Sequence, residues 1–211
     1  LVRDGSEGKN EQDQNCKQIV KSFCKNHKKI KVNFIQHSKN LGLFEARKTA
    51  VFNAKGEYVF ILDSDDFLHP DALETVYTQA VQNNADIVQI KLFGGSFPND
   101  EISGPIESFL PAQVQKLTAI YSGVLLEREI FTKLIVEKTI ASCLIGKLFN
   151  KEMLVNVYNQ LPFMKLNFQE DLLVFFFVSL AAKKYVGIKK DLYFYRQTSG
   201  MTSEAEITSL E

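Results

Sequence analysis

Residues 57–68 have the sequence EYVFILDSDDFL, an apolar run that ends in three aspartates within four positions. The near-continuous apolar stretch over 57–62 is typical of a strand buried on both faces of a parallel sheet. Asp63, Asp65 and Asp66 follow it, and like charges repel by roughly 1 kcal/mol per pair at ~4 Å even in bulk water. The stretch therefore predicts a buried strand whose carboxyl end meets a bound positive charge or is well solvated.

The segments around this strand alternate between helical and extended patterns. The predicted elements are a helix from the N-cap Asn10 to about His27, a strand over 30–34, a helix over 43–54 closed by Gly56, the strand 57–62, a helix starting near Pro70, and a strand over 86–92. This alternation predicts an α/β fold with a mostly parallel sheet and helices on its faces. Ligands bind at the carboxyl ends of such strands, so Asp4, after the strand-like Leu1-Val2-Arg3, is predicted to face the same crevice as the aspartates.

The second half of the chain has a different character. Residues 94–110 are rich in Gly, Pro and Ser and are predicted to form a loop excursion. Helical patterns follow over 112–137, 145–159 and 168–185. The last of them is apolar all round, which predicts a helix buried on most sides, and Glu170 and Asp171 lie in its first turn.

Composition limits the classes of function. With 211 residues, 45% of them hydrophobic, the chain can bury a full core, and 25 basic against 25 acidic residues create no global field that favours nucleic acid. Cys16 and Cys24 would lie ~12 Å apart on one helix, too far for a disulfide, and free thiols fit a reducing cytoplasm. No apolar run approaches the ~20 residues that a membrane-spanning helix needs.

Five segments in order carry a resemblance to a known family. They are LVRDGSEG at 1–8, SKNLGLFEARKTAVFNAKGEYVFILDSDDFLHPDAL at 38–73, GKLFNKEML at 146–154, QEDLL at 169–173 and LYFYR at 192–196. Together they resemble the family 2 glycosyltransferases of the GT-A fold. The resemblance implies a Rossmann-like, mostly parallel sheet with flanking helices and a helical C-terminal acceptor region. It also implies that 1–93 forms a nucleotide-sugar-binding half and 94–211 an acceptor-binding and catalytic-base half of the same domain.

The resemblance implies that Asp171 is the catalytic base of an inverting glycosyltransferase. A carboxylate opposite the leaving group would take the proton of the acceptor hydroxyl as it attacks the anomeric carbon. Glu170, ~100° away around the helix, is expected to point elsewhere. A helix-capping pair is the alternative for both residues.

Further matches imply donor-binding roles. Asp4 matches the aspartate that hydrogen-bonds the nucleobase, with a turn former in Asp-Gly-Ser as its alternative. Asn40, Gly42 and Arg47 match the N-x-G-x-x-x-A-R segment that borders the donor, although Arg47 also suits a surface ion pair. Arg196 matches the late loop and is expected to face the diphosphate.

The resemblance also offers a partner for the acidic cluster. Asp63 and Asp65 match the Asp-x-Asp motif, which reaches the ribose and holds a divalent cation on the diphosphate. Oxygen ligands favour a hard cation, so Mg²⁺ or Mn²⁺ is the expected cofactor. Asp66 either assists the metal, directly or through water, or caps the following segment.

Two departures from the family pattern leave other classes open. Arg3 stands where the family usually has another aspartate. The chain also starts at the family's second strand, so we expect this sequence to be a piece of a longer protein that lacks the first strand and helix. The alternatives are a catalytically silent nucleotide-sugar-binding fragment and an aspartyl-phosphate phosphatase. A phosphatase would need Gly-Thr where this chain has Asp66-Phe67.

The expected partners are a nucleotide-sugar donor and a glycan or lipid-linked acceptor, and nucleic acid is not expected. The resemblance implies a role in surface polysaccharide or lipopolysaccharide synthesis in the cytoplasm. Peripheral association with the inner face of the membrane is left open.

Overall fold

The computed structural model describes residues 1–5, 8, 13–95 and 118–196. The strands in these residues are β1 (Val2–Asp4), β2 (Ile35–His37), β3 (Tyr58–Phe60), β4 (Phe67–Leu68), β5 (Ile87–Gly95), β6 (Gly123–Leu126), β7 (Lys147–Asn150) and β8 (Lys184–Arg196). The helices are α1 (Cys16–Asn26), α2 (Leu43–Asn53), α3 (Ala72–Asn83), α4 (Arg128–Phe131), α5 (Lys151–Gln160) and α6 (Glu170–Ala181). A π-helical turn over Thr132–Val136 continues α4. Strands and helices are interleaved along the chain, as the α/β prediction requires.

The strands form two sheets. β1 and β2 are a parallel pair in which Asp4 lies beside His37. The other six strands form one mixed sheet in the order β3-β7-β5-β8-β4, with β6 also paired to β8. Within this sheet β5 and β8 run parallel, and the remaining pairs run antiparallel. Strands from both predicted halves of the chain therefore share one sheet.

Two apolar clusters lie on opposite faces of this sheet. The neighbouring residues Ile87 and Val88 of β5 belong to different clusters, as expected when successive side chains point to opposite faces. The first cluster packs α2, α5 and α6 against the sheet and includes the fully buried Phe175. The second packs α3 against the other face through Val76 and Ala80. The two layers hold the ends of β3, α2 and α6 in fixed relative positions.

The N-terminal elements begin and end differently from their predictions. The strand predicted over 30–34 is wrong, because pairing with β1 fixes the extended segment at Ile35–His37. Asn10 lies outside the described residues, and α1 begins at Cys16 with a capping box formed by Asn15 and Gln18. α2 ends at Asn53 with Ala54 as its C-cap, two residues before the predicted closing glycine. Cys16 and Cys24 form no disulfide, as predicted.

The helical patterns of the second half also include strands. Of the helix predicted over 112–137, residues 112–117 lie outside the described residues, and the part from residue 118 on contains β6 before α4. The predicted loop likewise lies outside the described residues from residue 96 on. The pattern over 145–159 begins as β7, which pairs with both β3 and β5. α6 ends at Ala181, and the Asp86 carboxylate accepts the N–H groups of Lys183 and Lys184, where β8 starts. Leu172 and Leu180 are exposed, so one strip of α6 faces solvent, whereas most of its other positions are buried or half-buried, as predicted.

Of the helices that the structure describes, none reaches the length and apolar character that crossing a bilayer requires.

Candidate functional site

The site is built around the guanidinium group of Arg47 on α2. Its Nη2 donates to Asp63 Oδ1 at 3.0 Å and to Oδ2 at 3.3 Å. Its Nη1 donates to Glu170 Oε1 at 2.7 Å and also to Asp171 Oδ1. The Arg47 side chain is only 8% exposed. One buried cation therefore joins the loop after β3 to the first turn of α6 and brings three predicted site residues together.

Charge in this cluster is unbalanced, because three carboxylates share one guanidinium. Burial alone would lower the pKa of Arg47, but Asp171, Asp63 and Glu170 outweigh it and raise that pKa, so the guanidinium stays charged. Burial raises the pKa of Asp171 to about 6, with Arg47 opposing the rise and Glu170 and Asp63 adding to it. A carboxylate that titrates just below neutrality is ionised at pH 7 and is suited to accept a proton.

Glu170 does not point away from this cluster, so that prediction is wrong. Glu170 and Asp171 both accept from Arg47 Nη1, although they occupy successive positions of α6. Successive helix positions differ by ~100°, and the longer glutamate side chain allows the Glu170 carboxylate to reach Arg47 Nη1 from its own position. Glu170 is also the more buried of the two, with 5% of its side chain exposed against 26% for Asp171. The aspartate is therefore the carboxylate that is more open to a ligand.

A short segment braces α6 against α2. We call residues 161–167 the bracing segment; it leads into Glu170 and runs along α2. Its bonds to α2 are Lys48 Nζ to Leu161 O at 2.9 Å, Met164 N to Glu45 Oε1 at 2.9 Å, Phe44 N to Leu166 O at 3.1 Å and Leu43 N to Asn167 Oδ1 at 3.0 Å. Two of these bonds satisfy N–H groups in the first turn of α2, which have no partner within the helix. The bonds that start α2 thus also fix the approach to α6.

Gly42 is required where α2 meets the bracing segment. Its φ of 95° lies in the region that favours glycine. A Cβ atom at this position would lie 3.0 Å from Leu166 O and 3.1 Å from Asn167 Oδ1. Any larger residue would push the bracing segment away from α2. The predicted donor residue therefore also has a packing role.

Asp4 organises the loop that precedes α2. Its Oδ1 accepts from Leu41 N and His37 Nδ1, its Oδ2 accepts from Gly42 N, and each distance is 2.8 Å. Burial opposes ionisation, but these hydrogen bonds outweigh it and lower the pKa of Asp4. Asn40 Oδ1 accepts from the same Gly42 N at 3.1 Å. A carboxylate has about four acceptor positions, so Asp4 retains one for a ligand.

The loop 63–66, which we call the acidic loop, is tied to β8. Tyr193 Oη donates to Asp66 Oδ2 at 2.6 Å and accepts from Asp63 N at 3.3 Å, and Arg196 N donates to Asp66 Oδ1 at 2.9 Å. Burial raises the pKa of Asp66 to about 6, although the bonds from Tyr193 and Arg196 oppose the rise. The Arg196 guanidinium lies 5.3 Å from the centroid of the Phe67 ring. Arg196 is therefore beside the acidic loop, where a diphosphate role would need it.

The acidic loop fits a divalent cation as a partial set of ligands. Asp65 is exposed, Asp63 shares its carboxylate with Arg47, and Asp66 uses both oxygens on β8. Within residues 1–5, 8, 13–95 and 118–196, no group of three or more His, Cys, Asp or Glu side chains could hold an ion alone. Mg²⁺ is usually held by one or two carboxylates together with substrate phosphates, and Asp65 and Asp63 are the carboxylates that could take this part.

Three further residues near the site were not found from the sequence. His37 orients Asp4, and the paired ends of β1 and β2 are the signal that could have revealed it. Tyr193 lies inside the LYFYR match, but nothing in that pattern shows where its hydroxyl points. Lys147 is fully buried, donates to Cys143 O at 2.5 Å and lies 4.9 Å from the Phe175 ring centroid, one turn after Asp171. Burial lowers the pKa of Lys147.

The sequence profile of Glycosyl transferase family 2 matches residues 9–146. The glycosyltransferase GlyG of Streptococcus pneumoniae is 28% identical over 210 residues, which cover 98% of this chain and 63% of GlyG. The poly(ribitol-phosphate) beta-N-acetylglucosaminyltransferase TarP of Staphylococcus aureus is 47% identical over 58 residues, or 27% of this chain and 18% of TarP.

The structure is similar to that of S. aureus TarS. A crystal structure of a TarS fragment with UDP-GlcNAc superimposes with a TM-score of 0.64 at 22% identity, covering 97% of this chain and 51% of that chain. The GT-A fold implied by the five segments is confirmed by this likeness. The chain spans about half of the TarS chain and less than two thirds of the curated relatives named above.

Proposed function

Because the chain belongs to glycosyl transferase family 2, we propose that it transfers a sugar from a nucleotide-diphosphate sugar to a hydroxyl group of a glycan or lipid-linked acceptor. The observation that carries the proposal is the Arg47 cluster. It brings Asp63, from the predicted donor loop, and Asp171, the predicted base, onto one guanidinium. A donor and an acceptor hydroxyl would have to meet at such a junction.

In the proposed reaction Asp171 acts as the general base. The acceptor oxygen forms a bond to the anomeric carbon while the bond from that carbon to the diphosphate oxygen breaks. Asp171 takes the hydroxyl proton, and the nucleoside diphosphate leaves with the bonding electrons. A single displacement of this kind inverts the anomeric configuration. The pKa of about 6 supports this role, since it leaves Asp171 ionised at neutral pH.

The donor would lie along the loop before α2 and the acidic loop. We propose that Asp4 uses its remaining acceptor position for the nucleobase, with Asn40 and Gly42 at the border of the donor, and that Arg196 faces the diphosphate. Arg47 supports the donor side through Asp63.

A divalent cation, Mg²⁺ or Mn²⁺, would be held by Asp65 and Asp63, with Asp66 steadying the loop or adding a contact through water. When bound, it would neutralise charge on the leaving diphosphate. The Arg47 cluster sets one buried guanidinium against three carboxylates, and this excess of negative charge supports a role for a cation beside the diphosphate.

The class of acceptor is proposed from the relatives. TarP is named for transfer to poly(ribitol phosphate). For the present chain we propose only the broader acceptor class, a surface glycan or its lipid-linked precursor. Such an acceptor would be used at the cytoplasmic face of a membrane. We further propose that residues 94–211 bind the acceptor and 1–93 the donor.

The test is a screen of nucleotide sugars and nucleoside diphosphates for thermal stabilisation of the protein, with Mg²⁺, with Mn²⁺ and with excess chelator. A ligand at ~100 times its dissociation constant adds roughly 2.7 kcal/mol of stability. We expect one nucleotide class to stabilise the protein in the presence of metal, and a product analysis by NMR to show the inverted anomer. Hydrolysis of small phosphomonoesters without any nucleotide preference would support a phosphatase instead. Binding without turnover in the full-length protein would support a silent binding module.

A further inference from the structure

Tyr193 occupies a special position in the site. It is fully buried on β8, and its hydroxyl contacts both ends of the acidic loop. It donates to Asp66 Oδ2 at 2.6 Å and accepts from the backbone N–H of Asp63 at 3.3 Å. The short donor bond is typical of a hydroxyl bound to a carboxylate. A single oxygen atom therefore fixes a side chain at one end of the loop and the backbone at the other.

The rest of the loop is anchored from the same side. β4, which follows the loop, pairs with β8 so that Leu68 lies opposite Tyr193. The second carboxylate oxygen of Asp66 accepts from Arg196 N, also on β8. Asp63 has a further anchor in Arg47, which holds its carboxylate. The acidic loop is thus held by α2 at Asp63 and by β8 at Asp66, and the exposed Asp65 lies between these two residues.

We propose that Tyr193 is a positioning residue of the donor site: its hydroxyl holds the acidic loop in the shape that presents Asp65 and Asp63 to the cation and diphosphate of the donor. The inference rests on the proposed function and adds to it a residue that touches neither the sugar nor the acceptor. A loop that is already ordered loses little conformational entropy when a ligand binds. Loss of the hydroxyl would therefore weaken donor binding more than it weakens the fold.

The same strand offers a matched control. Tyr185 is also fully buried on β8, and its hydroxyl donates to Gln89 Oε1 at 3.0 Å. Its bonds go to Gln89 and to Tyr121 O, and neither partner belongs to the acidic loop. Tyr193→Phe and Tyr185→Phe thus remove the same atom from the same depth of the same strand. A purely structural role for Tyr193 predicts that the two variants behave alike.

The experiment measures UDP and UDP-GlcNAc binding by calorimetry in the presence of MnCl₂, with GDP and dTDP as further probes. We expect Tyr193→Phe to weaken binding of the preferred nucleotide by about tenfold, a loss of the size of one typical hydrogen bond. Tyr185→Phe should stay within about twofold of wild type. Both variants should remain folded at about 25 °C, because each loses only one buried hydroxyl group and its hydrogen bonds.

The outcomes separate the inference from the proposed function. Equal nucleotide affinity in wild type and a folded Tyr193→Phe protein would overturn the inference, and so would equal losses in both tyrosine variants. If wild type binds no nucleotide probe, the proposed donor site fails and the inference falls with it. If Tyr193→Phe does not fold, Asp66→Asn tests the same link from its other end, and unchanged UDP affinity in that variant would overturn the inference.

Discussion

Replacing Arg47 by methionine should shift the pH dependence of catalysis. The substitution removes the only cation that contacts Asp171 directly among the described residues and keeps an unbranched side chain of similar length. Two unit charges ~4 Å apart interact by about 4 kcal/mol at an effective dielectric constant of ~20, which corresponds to roughly 3 pH units. Water entering the vacated space would reduce the effect, so we expect the pKa of Asp171 to rise by about 1 to 3 units.

The sign of this change follows from the proposed role of Asp171 as the base. The base must be ionised, so activity falls as pH drops through its pKa, which is about 6 in the wild-type protein. The acid limb of the kcat/KM profile should therefore move from near pH 6 to about pH 7–9 in Arg47→Met. Activity lost at pH 7 should return as the pH is raised. Arg47→Lys retains one charge but cannot span three carboxylates, and its limb should lie between the two.

The assay is slow donor hydrolysis, or sugar transfer once the acceptor is known, measured across the pH range at low temperature. Low temperature is needed because an unpaired buried charge costs about 3–5 kcal/mol of stability. Lys48→Met is the matched control, since it removes the next cation of α2, whose ammonium group contacts Leu161 O instead. A folded Arg47→Met protein whose acid limb stays near pH 6 would refute the proposed coupling.

Three other predictions concern individual residues. Asp171→Asn should lower transfer by ~10²–10⁴ and leave UDP affinity within a few fold, whereas Glu170→Gln should cost far less transfer. Equal losses would mean that both carboxylates act only by pairing with Arg47 and that neither is the base. Donor binding should require a divalent cation and should weaken sharply in Asp65→Asn. Equal UDP binding by calorimetry with metal and with excess chelator would rule out the metal site. Gly42→Ala should lower the free energy of unfolding in urea by about 1–3 kcal/mol because of its positive φ and the crowded Cβ position. Gly8→Ala, where a Cβ meets nothing within 4 Å, should be nearly neutral, and a neutral Gly42→Ala would contradict the packing role.

The elements that follow from sequence are those decided by local pattern. α2, the strand after it and α3 have apolar residues at regular spacing or in an unbroken run, and each lies within a few residues of its predicted place. β7 shows why the rest could not be predicted. Lys147–Asn150 is buried and pairs on both edges, so it lacks the alternation of a half-exposed strand and merges with the helical pattern of α5. The boundary is set by the Asn150 side chain, which accepts from Met153 N as an N-cap.

The distinction between features set by local pattern and features set by long-range packing also applies to the site. The family resemblance pointed to Arg47, Asp63 and Asp171, and the structure brings these three together. It did not predict that one guanidinium serves all of them, because that depends on how closely α2 and α6 pack. Tyr193 was likewise missed, since the direction of a buried hydroxyl is a tertiary property. Long-range packing, which no local pattern encodes, decides these details.

The bracing segment has a consequence for how the site forms during folding. Its hydrogen bonds to α2 join residues 113 to 124 positions apart, and the Arg47 contacts with α6 span similar separations. Closing loops of this size costs entropy before any contact repays it, so such contacts form late. A nascent chain that has emerged as far as residue 160 carries Arg47 and Asp63 but lacks Glu170 and Asp171, which complete the cluster. If Asp171 is the base, as we propose, such a partial chain could not transfer or hydrolyse a nucleotide sugar before α6 has left the ribosome.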